Sequence, residues 1–386
     1  MKTPFLFFAA FLLPLLMLAM PASAQKPDGF IHVRVSLKVV VDPATGAVPS
    51  TMSDALVRES FDAMNRWLAV TWRGYRLQLV DLDASQNFRR IGAKNDTTGP
   101  GKWYSTNLKG DTADNASFEA AAKASKTAFA WNDSAINIYM NNGGWSSASF
   151  PSKNRDVVVT GYTLLQYDPP AGQFWSESYK IAGNLLHELA HSFELYHTHG
   201  GLGTAANDDG IGDTALDQPS PTDAAARDET ATRNDIAQLN YAKNYAALTA
   251  AQKVLVDNSA NNAMGYHQLF YDNPPTGKVV SDAERFGGTR FVFTEQQMDK
   301  WADWANKAPR FATVTGTMRF VDASVGSSGT GTSAAPIKLL STAVTTASAA
   351  GADILMLRPG TYNATTLSKP MVLRATRSGP VTLKKP

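Results

Sequence analysis

The sequence predicts an α+β protein whose N-terminal half is of the α/β type. Three observations support this class. Strand and helix patterns alternate through residues 31–140, helical patterns dominate residues 177–304, and short β-type runs occupy residues 354–383. We therefore expect a twisted mixed sheet carrying helices, a set of longer helices after it, and a small β-rich C-terminal region.

The N-terminal elements follow from the spacing of apolar side chains. Residues 31–42 alternate at first and end in a run of valines, which predicts a strand entering a half-buried sheet. Apolar residues at helical spacing from Leu56 to Leu68 predict a helix with Ser53 as its N-cap. The same criteria predict strands at 75–82, 135–140 and 156–162 and a helix at 116–131.

Longer helical patterns fill the second half. Apolar residues recur between Ile181 and Phe193 and predict a helix over residues 177–195 with an apolar back. Two more helices are predicted at 235–248 and 250–257. The run Thr294-Glu295-Gln296-Gln297 is a capping box, and the helix that it begins carries Met298, Trp301 and Trp304 on its buried face.

Composition excludes several classes of function. The 386 residues include 36 Lys and Arg, 34 Asp and Glu, and no cysteine. Disulfide scaffolds, cysteine nucleophiles, thiolate zinc sites and iron–sulfur clusters are therefore excluded, and any metal must bind to His or oxygen ligands. Because the charges nearly balance, we expect no nucleic-acid partner.

The N-terminus resembles an export signal. Lys2 precedes an apolar run over residues 5–20, which Pro14 interrupts, and Ala22-Ser23-Ala24 follows. We expect cleavage after Ala24, so that residues 1–24 form a signal peptide and the mature protein is secreted to the periplasm or the cell exterior. The alternative, a membrane anchor, is disfavoured by Pro14 and by the small-residue cleavage site. No later stretch approaches the roughly 18 apolar residues of a span, so no stable membrane insertion is expected.

A change of composition near residue 313 predicts a domain boundary. Residues 25–313 would form the main domain and residues 314–386 a β-helix-like C-terminal region, because residues 322–351 are dominated by Ser, Gly, Ala and Thr. The runs Phe320-Val321-Asp322 and Leu357-Arg358-Pro359-Gly360 resemble the first coils of a right-handed parallel β-helix. We interpret this region first as a stabilising appendage. A polysaccharide or a surface is the alternative partner for it.

The chemistry is concentrated in the helix at 177–195. His187 and His191 are four residues apart, so both imidazoles can reach one zinc ion from the same face. Glu188 can accept a proton from water activated by such an ion. His197 supplies a third imidazole six residues further on, and a three-nitrogen site leaves one position open. His199 is the competing third ligand and ranks lower because of its spacing.

The run from His187 to His197 resembles the extended zinc motif of the metzincin peptidases, and Leu195-Tyr196-His197-Thr198 resembles the pappalysin (cytophagalysin) branch. The resemblance implies that His187, His191 and His197 bind Zn²⁺ and that Glu188 is the general base and acid. The family usually has Gly where this chain has Glu194, because the helix must end there in a left-handed conformation. A carboxylate at that position could also approach the metal.

Two later segments extend the resemblance. Asn261-Asn262-Ala263-Met264-Gly265-Tyr266 resembles the family's Met-turn, which implies that Met264 forms the floor beneath the metal and that Tyr266 stabilises the oxyanion. The alternative is that both are ordinary packing residues. The Asp-rich loop resembles a calcium-binding loop, with a solvated turn as the alternative. Its candidate Ca²⁺ ligands are Asp208, Asp209, Asp213 and Thr214.

The resemblance implies a secreted zinc endopeptidase acting on protein or peptide substrates. It places the substrate-binding edge strand within residues 141–163. One alternative is a non-catalytic zinc-containing protein that binds surfaces or carbohydrate through its C-terminal region. Another is a zinc hydrolase acting on bonds other than peptide bonds. Glu188 distinguishes the first alternative, because a structural zinc site needs no base beside an open coordination position.

Overall fold

The structure is a computed structural model. It describes residues 29–48, 52–109, 112–144, 146–151, 157–161, 177–199, 209–217, 229–260, 262–265, 293–307, 314–349 and 351–385. The predicted signal peptide at residues 1–24 lies outside these ranges. The described chain is of the α+β class, as the sequence predicts.

The N-terminal half alternates strands and helices. Its elements in chain order are β1 (Ile31–Val40), α1 (Asp54–Val70), β2 (Tyr75–Val80), β3 (Arg89–Ile91), α2 (Ala113–Ala124), β4 (Ile136–Asn141), β5 (Ser147–Ala148) and β6 (Val157–Gly161). Helix α1 begins where predicted, because the Ser53 side chain accepts a hydrogen bond from the N–H of Leu56.

The second half is mainly helical before its C-terminal strands. The helices are α3 (Glu177–His191), α4 (Glu229–Tyr241), α5 (Ala250–Ala260), α6 (Glu295–Ala305) and α7 (Leu340–Thr346), and the strands are β7 (Met318–Val321), β8 (Ile354–Leu357), β9 (Gly360–Asn363), β10 (Val372–Ala375) and β11 (Val381–Lys384). The capping box of α6 forms as predicted between Thr294 and Gln297. Among the described helices, none is long and apolar enough to cross a membrane.

The main sheet has the order β2-β1-β4-β6-β5. Strand β3 also pairs with β1, next to β2. Every pairing in it is parallel except that between β5 and β6. Strand β5 therefore forms an antiparallel edge, and it lies in contact with α3. Strand β5 lies within residues 141–163, for which the resemblance implies a substrate-binding edge, and that role stays a prediction.

The core joins the two halves of the chain. Helix α1 packs against α3, and both contribute to one large apolar cluster with the inner strands. Trp301 of α6 is fully buried in this cluster and stacks on Phe193 with ring centroids 3.9 Å apart. Helix α6 is thereby fixed against the segment that follows α3.

The C-terminal region contains two small parallel sheets with orders β10-β8-β7 and β11-β9. The two faces of strand β8 pack against different apolar clusters. Met356 belongs to the main cluster, and Leu355 belongs to a second cluster within the region itself. A bridge between Val33 and Val314 also ties the start of the region to β1. The division of the chain at residue 313 stays a prediction.

Some element bounds differ from the sequence prediction. The helix predicted at 235–248 is α4, which begins earlier and ends at Tyr241, because Ala242 adopts a left-handed φ of 52°. Helix α2 ends at Ala124, short of the predicted residue 131. The short strands β3, β5 and β9 and the seven-residue helix α7 have no clear sequence signal, since strands of two to four residues are set by their neighbours.

Candidate active site

Helix α3 positions two of the three predicted histidines. Its apolar back is fully buried, with Ile181, Leu185 and Leu189 all inaccessible to solvent. That burial fixes the rotation of the helix, so His187 and His191 lie together on the other side, one turn apart. Both are themselves largely buried, at 9% and 5% exposed.

The chain reverses immediately after α3 through a left-handed residue. Glu194 has a φ of 62°. The N–H of Leu195 donates to the carbonyl of Ala190 at 3.2 Å, and the N–H of Glu194 donates to the carbonyl of His191 at 2.9 Å. This is the Schellman arrangement that commonly ends helices. A residue other than glycine at such a position costs about 1 kcal/mol, and the turn brings His197 back towards the helix.

The three predicted zinc ligands meet at one point. The Nε2 atom of His197 lies 3.0 Å from the Nε2 atoms of both His187 and His191. Two imidazole nitrogens that each lie about 2.1 Å from a tetrahedral zinc ion are roughly 3.4 Å apart, so these separations are close to those of a shared ion. Within the described residues, these three histidines form the single group with metal-ligand spacing.

Backbone carbonyls fix the orientation of the two helical imidazoles. The Nδ1–H of His187 donates to the carbonyl of Ala263 at 2.7 Å, and that of His191 donates to the carbonyl of Leu195 at 2.7 Å. Each ring therefore carries its proton on Nδ1 and presents an Nε2 lone pair to the common point. Ligands held in this way by outer hydrogen bonds are typical of metal sites.

Burial keeps the three imidazoles neutral. It lowers the pKa of His187 to about 4 and that of His191 to about 3, against 6.5 in the free side chain. Burial also lowers the pKa of His197, and the neighbouring imidazoles lower it further. At neutral pH all three rings are therefore uncharged donors, as metal coordination requires.

Glu188 lies beside this cluster on α3 and is 6% exposed. Burial raises the pKa of its carboxyl from 4.5 to about 8. A buried carboxylate of this kind has a high affinity for a proton, because the protein interior disfavours its charge. Glu188 thus directly follows the first histidine of the group in the chain, and its carboxyl binds a proton more tightly than a free side chain does.

The predicted Met-turn forms hydrogen bonds with the segments that carry the three histidines. Asn262, Ala263, Met264 and Gly265 form a turn closed by a 3.1 Å hydrogen bond from the N–H of Gly265 to the carbonyl of Asn262. Met264 is fully buried, and its carbonyl accepts a 3.2 Å hydrogen bond from the N–H of Thr198, next to His197. The turn therefore contacts the ligand set from two sides, through Ala263 and through Met264. Tyr266 lies outside the described residues, and its predicted role is untested.

A buried amide network holds the Met-turn to helix α6. The Asn262 side chain accepts from the N–H of Met264 at 2.9 Å and donates to Gln297 Oε1 at 2.9 Å. Gln297 in turn donates to Asp209 Oδ2 at 3.3 Å. The sequence predicts Gln297 as part of a capping box and Asp209 as a candidate calcium ligand. It gives no signal that both residues also support the Met-turn.

The Asp-rich loop makes mostly internal contacts. Asp209 is 2% exposed, and its Oδ1 accepts from the N–H of Ile211 and from the hydroxyl of Thr214. Asp213 accepts from the N–H of Gln296 at the start of α6. Asp208 lies outside the described residues. In the part of the loop that is described, these contacts tie the segment to α6, and calcium binding stays a prediction.

His199 does not join the ligand group. Its ring stacks on that of His197 with centroids 4.6 Å apart and an interplanar angle of 20°. The group with metal-ligand spacing contains His197 and not His199. The ranking of the two as third ligand stays a prediction. Glu194 likewise lies outside that group, and its carboxylate accepts the hydroxyl of Tyr196 instead.

The sequence does not predict the aromatic packing around His197, the predicted third ligand. The ring of Phe150 stacks on Tyr196 with centroids 4.8 Å apart and also lies 5.0 Å from His191. The ammonium of Lys300 lies 4.6 Å from the centroid of the Tyr196 ring. The signal available in the sequence is the pair Glu194 and Tyr196, an acceptor and a donor two residues apart.

Comparisons with known proteins give a coarse likeness. No family model and no curated protein matches the chain. Among solved structures, mirolysin in complex with a compound is similar at 17% identity and a TM-score of 0.41, covering 74% of this chain and 96% of that one. A promirolysin mutant from Tannerella forsythia is similar at 18% identity and a TM-score of 0.41, covering 74% of this chain and 85% of that one.

Proposed function

We propose that the protein is a secreted zinc-dependent endopeptidase that hydrolyses protein or peptide substrates. The observation that carries this proposal is the convergence of three histidines, in which the Nε2 atom of His197 lies 3.0 Å from those of His187 and His191, with the buried Glu188 next to His187 in the chain. A structural zinc site would usually be closed by four protein ligands and would have no use for such a base.

The donor set fits zinc. Three neutral imidazole nitrogens suit this borderline-soft ion, and a three-ligand set leaves a fourth position for water and substrate. When bound, zinc supplies a Lewis acid that polarises the scissile carbonyl and acidifies water. Two carbonyl-anchored Nδ1–H groups keep the imidazoles of His187 and His191 in the tautomer that such binding needs.

Glu188 is the proposed general base and acid. Its carboxylate takes a proton from the attacking water. The same carboxyl then returns the proton to the leaving amine, which completes the cleavage of the peptide bond. The remaining predicted contribution, oxyanion stabilisation by Tyr266, is part of the proposal and depends on a residue outside the described ranges.

Strand β5 is the proposed docking edge for substrate. It is antiparallel to β6 at the border of the main sheet and contacts the metal-ligand helix α3. An extended peptide can add to such an edge through main-chain hydrogen bonds, which select conformation more than sequence. Export by the segment at residues 1–24 and a calcium ion in the Asp-rich loop complete the proposal and rest on the sequence patterns.

The experiment is detection of new peptide termini by mass spectrometry after a denatured protein mixture is incubated with the zinc-loaded mature chain. Glu188→Gln removes the base and keeps the size of the side chain. Glu119→Gln is the matched control, because Glu119 is a buried glutamate on α2 that pairs with Lys123. We expect cleavage by the wild type and the control and none by Glu188→Gln.

Two results would contradict the proposal. Cleavage that persists undiminished in Glu188→Gln would show that another group is the base. Absence of cleavage by a wild-type chain that binds one zinc ion would instead favour the non-catalytic alternative.

A further inference from the structure

The left-handed residue Glu194 is an unusual choice for its position. The chain must turn there to bring His197 to the other two histidines, and glycine would adopt the φ of 62° without steric cost. The glutamate side chain is also costly to bury, yet Glu194 is only 5% exposed. A compensating interaction must therefore hold this side chain in place.

The hydroxyl of Tyr196 provides that interaction. It donates a 2.8 Å hydrogen bond to Glu194 Oε1 across the turn. Hydrogen bonds to a carboxylate are among the stronger ones in proteins. This bond joins Glu194 to Tyr196, the residue directly before His197. The ammonium of Lys300 on α6 experiences the negative charges of Asp209 and Glu194, so the carboxylate also has a cation in its surroundings.

Two groups from different elements pack on the Tyr196 ring. Phe150 stacks on it at an interplanar angle of 20°, and the Lys300 ammonium lies 4.6 Å from its centroid. Phe150 follows strand β5, whereas Lys300 belongs to helix α6, so Tyr196 connects the sheet edge to that helix. The ring next to the third ligand thus has little freedom to move independently of the site.

We propose that Glu194 and Tyr196 are positioning residues that hold His197 in the ligand set. The Glu194–Tyr196 hydrogen bond gives the turn the rigidity that a glycine would lack, at the expense of a strained backbone. In this arrangement Glu194 Oε1 accepts the tyrosine hydroxyl, and an approach of the carboxylate to the metal stays a prediction. The inference rests on the proposed metal site for its functional consequence, and on the turn alone for its structural one.

The first test needs no metal. Tyr196→Phe removes only the hydroxyl and retains the stacked ring. We expect amide hydrogen exchange at residues 194–198 of the metal-free chain to accelerate about tenfold, with exchange in α1 and β1 unchanged. Tyr245→Phe is the matched control, because the Tyr245 hydroxyl donates to the carboxylate of Asp257 away from the histidines. It should leave exchange at residues 194–198 unaltered.

The second test measures zinc affinity by competition with a chelator. We expect Tyr196→Phe and Glu194→Gly each to weaken zinc binding about tenfold, and the double variant to be no weaker than either single variant, because both remove the same bond. Glu194→Gln keeps a side-chain acceptor and should lose less. Tyr245→Phe should bind zinc as the wild type does.

The outcomes separate this inference from the proposed function. Unchanged exchange at residues 194–198 in Tyr196→Phe would overturn the inference, whatever the metal does. Accelerated exchange with unchanged zinc affinity would overturn it as well, since the bond would then stabilise the turn without positioning a ligand. A wild-type chain that fails to bind zinc would overturn the proposed function, and the assignment of His197 as a positioned ligand with it.

Discussion

The Nδ1–H of His187 donates a 2.7 Å hydrogen bond to the carbonyl oxygen of Ala263, 76 residues later in the chain. This bond joins helix α3 to the predicted Met-turn and sets the tautomer of the imidazole. The position of Ala263 depends in turn on the Asn262 side chain, which accepts from the N–H of Met264 and donates to Gln297. The Met-turn is thus an outer support of the candidate metal site.

Asn262→Ala should therefore weaken metal binding without touching a ligand. The turn loses the hydrogen bonds that hold it, and loss of such outer support typically costs 10- to 100-fold in metal affinity. The measurement is zinc affinity by chelator competition. Asn65→Ala is the control, because Asn65 makes two comparable hydrogen bonds to the backbone of Leu77 in β2. If both variants reduced zinc affinity equally, the effect would be one of general stability.

The two histidines after α3 should behave differently. His197→Ala removes one of three converging nitrogens, so we expect zinc affinity to fall by about 10³-fold or more, as a two-nitrogen site holds the ion poorly. His199→Ala removes a ring that stacks on His197 and lies outside the group with metal-ligand spacing, and we expect a change of less than about tenfold. Metal content after dialysis, measured by elemental analysis, checks both. Retention of stoichiometric zinc by His197→Ala would exclude it as a ligand.

The buried carboxyl of Glu188 gives the metal-free chain a distinctive pH dependence. Its pKa is about 8 in the folded protein and near 4.5 in the free side chain, so the unfolded chain ionises first. Stability should fall as pH rises from about 4.5 to about 8 and then level off. Glu188→Gln should remove this decline in denaturant unfolding with a chelator present. Parallel curves for wild type and variant across that window would contradict the burial of this group.

Lys38 should make the stability of the folded chain change with pH in the opposite direction, and over a different pH range. It is fully buried in β1, where burial lowers its pKa from 10.5 to about 7 and its ammonium donates to Asn137 on β4. The unfolded chain therefore binds more protons between pH 7 and 10.5, and stability should rise with pH through that range. Lys38→Met should flatten this rise, measured as the free energy of unfolding at several pH values. A rise of equal slope in the variant would assign it to other groups.

The residues of the candidate site that lie close together in the sequence can be predicted from it. The contacts that support them come from distant segments and cannot. His187, Glu188, His191 and His197 lie within eleven residues, and helical geometry alone places His187 and His191 on one face. The carbonyl of Ala263 carries no sequence signal, because any residue supplies the same backbone acceptor. Its contact with the helix depends on tertiary packing.

The same distinction explains the fold. The long periodic elements α1, α3 and β1 were predicted because their buried faces repeat at helical or strand spacing. Strand β5, the proposed docking edge, consists of two residues and exists through its pairing with β6. A segment of that length has no period to detect, so its role could be anticipated only from the resemblance.

The C-terminal region is expected to stabilise the main domain. Met356 and Phe320 belong to the main apolar cluster, while the neighbouring Leu355 packs inside the region itself. Met356→Ala should therefore lower the stability of the whole chain by about 2–5 kcal/mol, the usual cost of truncating a buried side chain. Leu355→Ala should instead loosen mainly residues 314–385, which hydrogen exchange by mass spectrometry would resolve. If residues 25–313 expressed alone matched the full chain in denaturant stability, the region would be an independent module and a binding role would become its better interpretation.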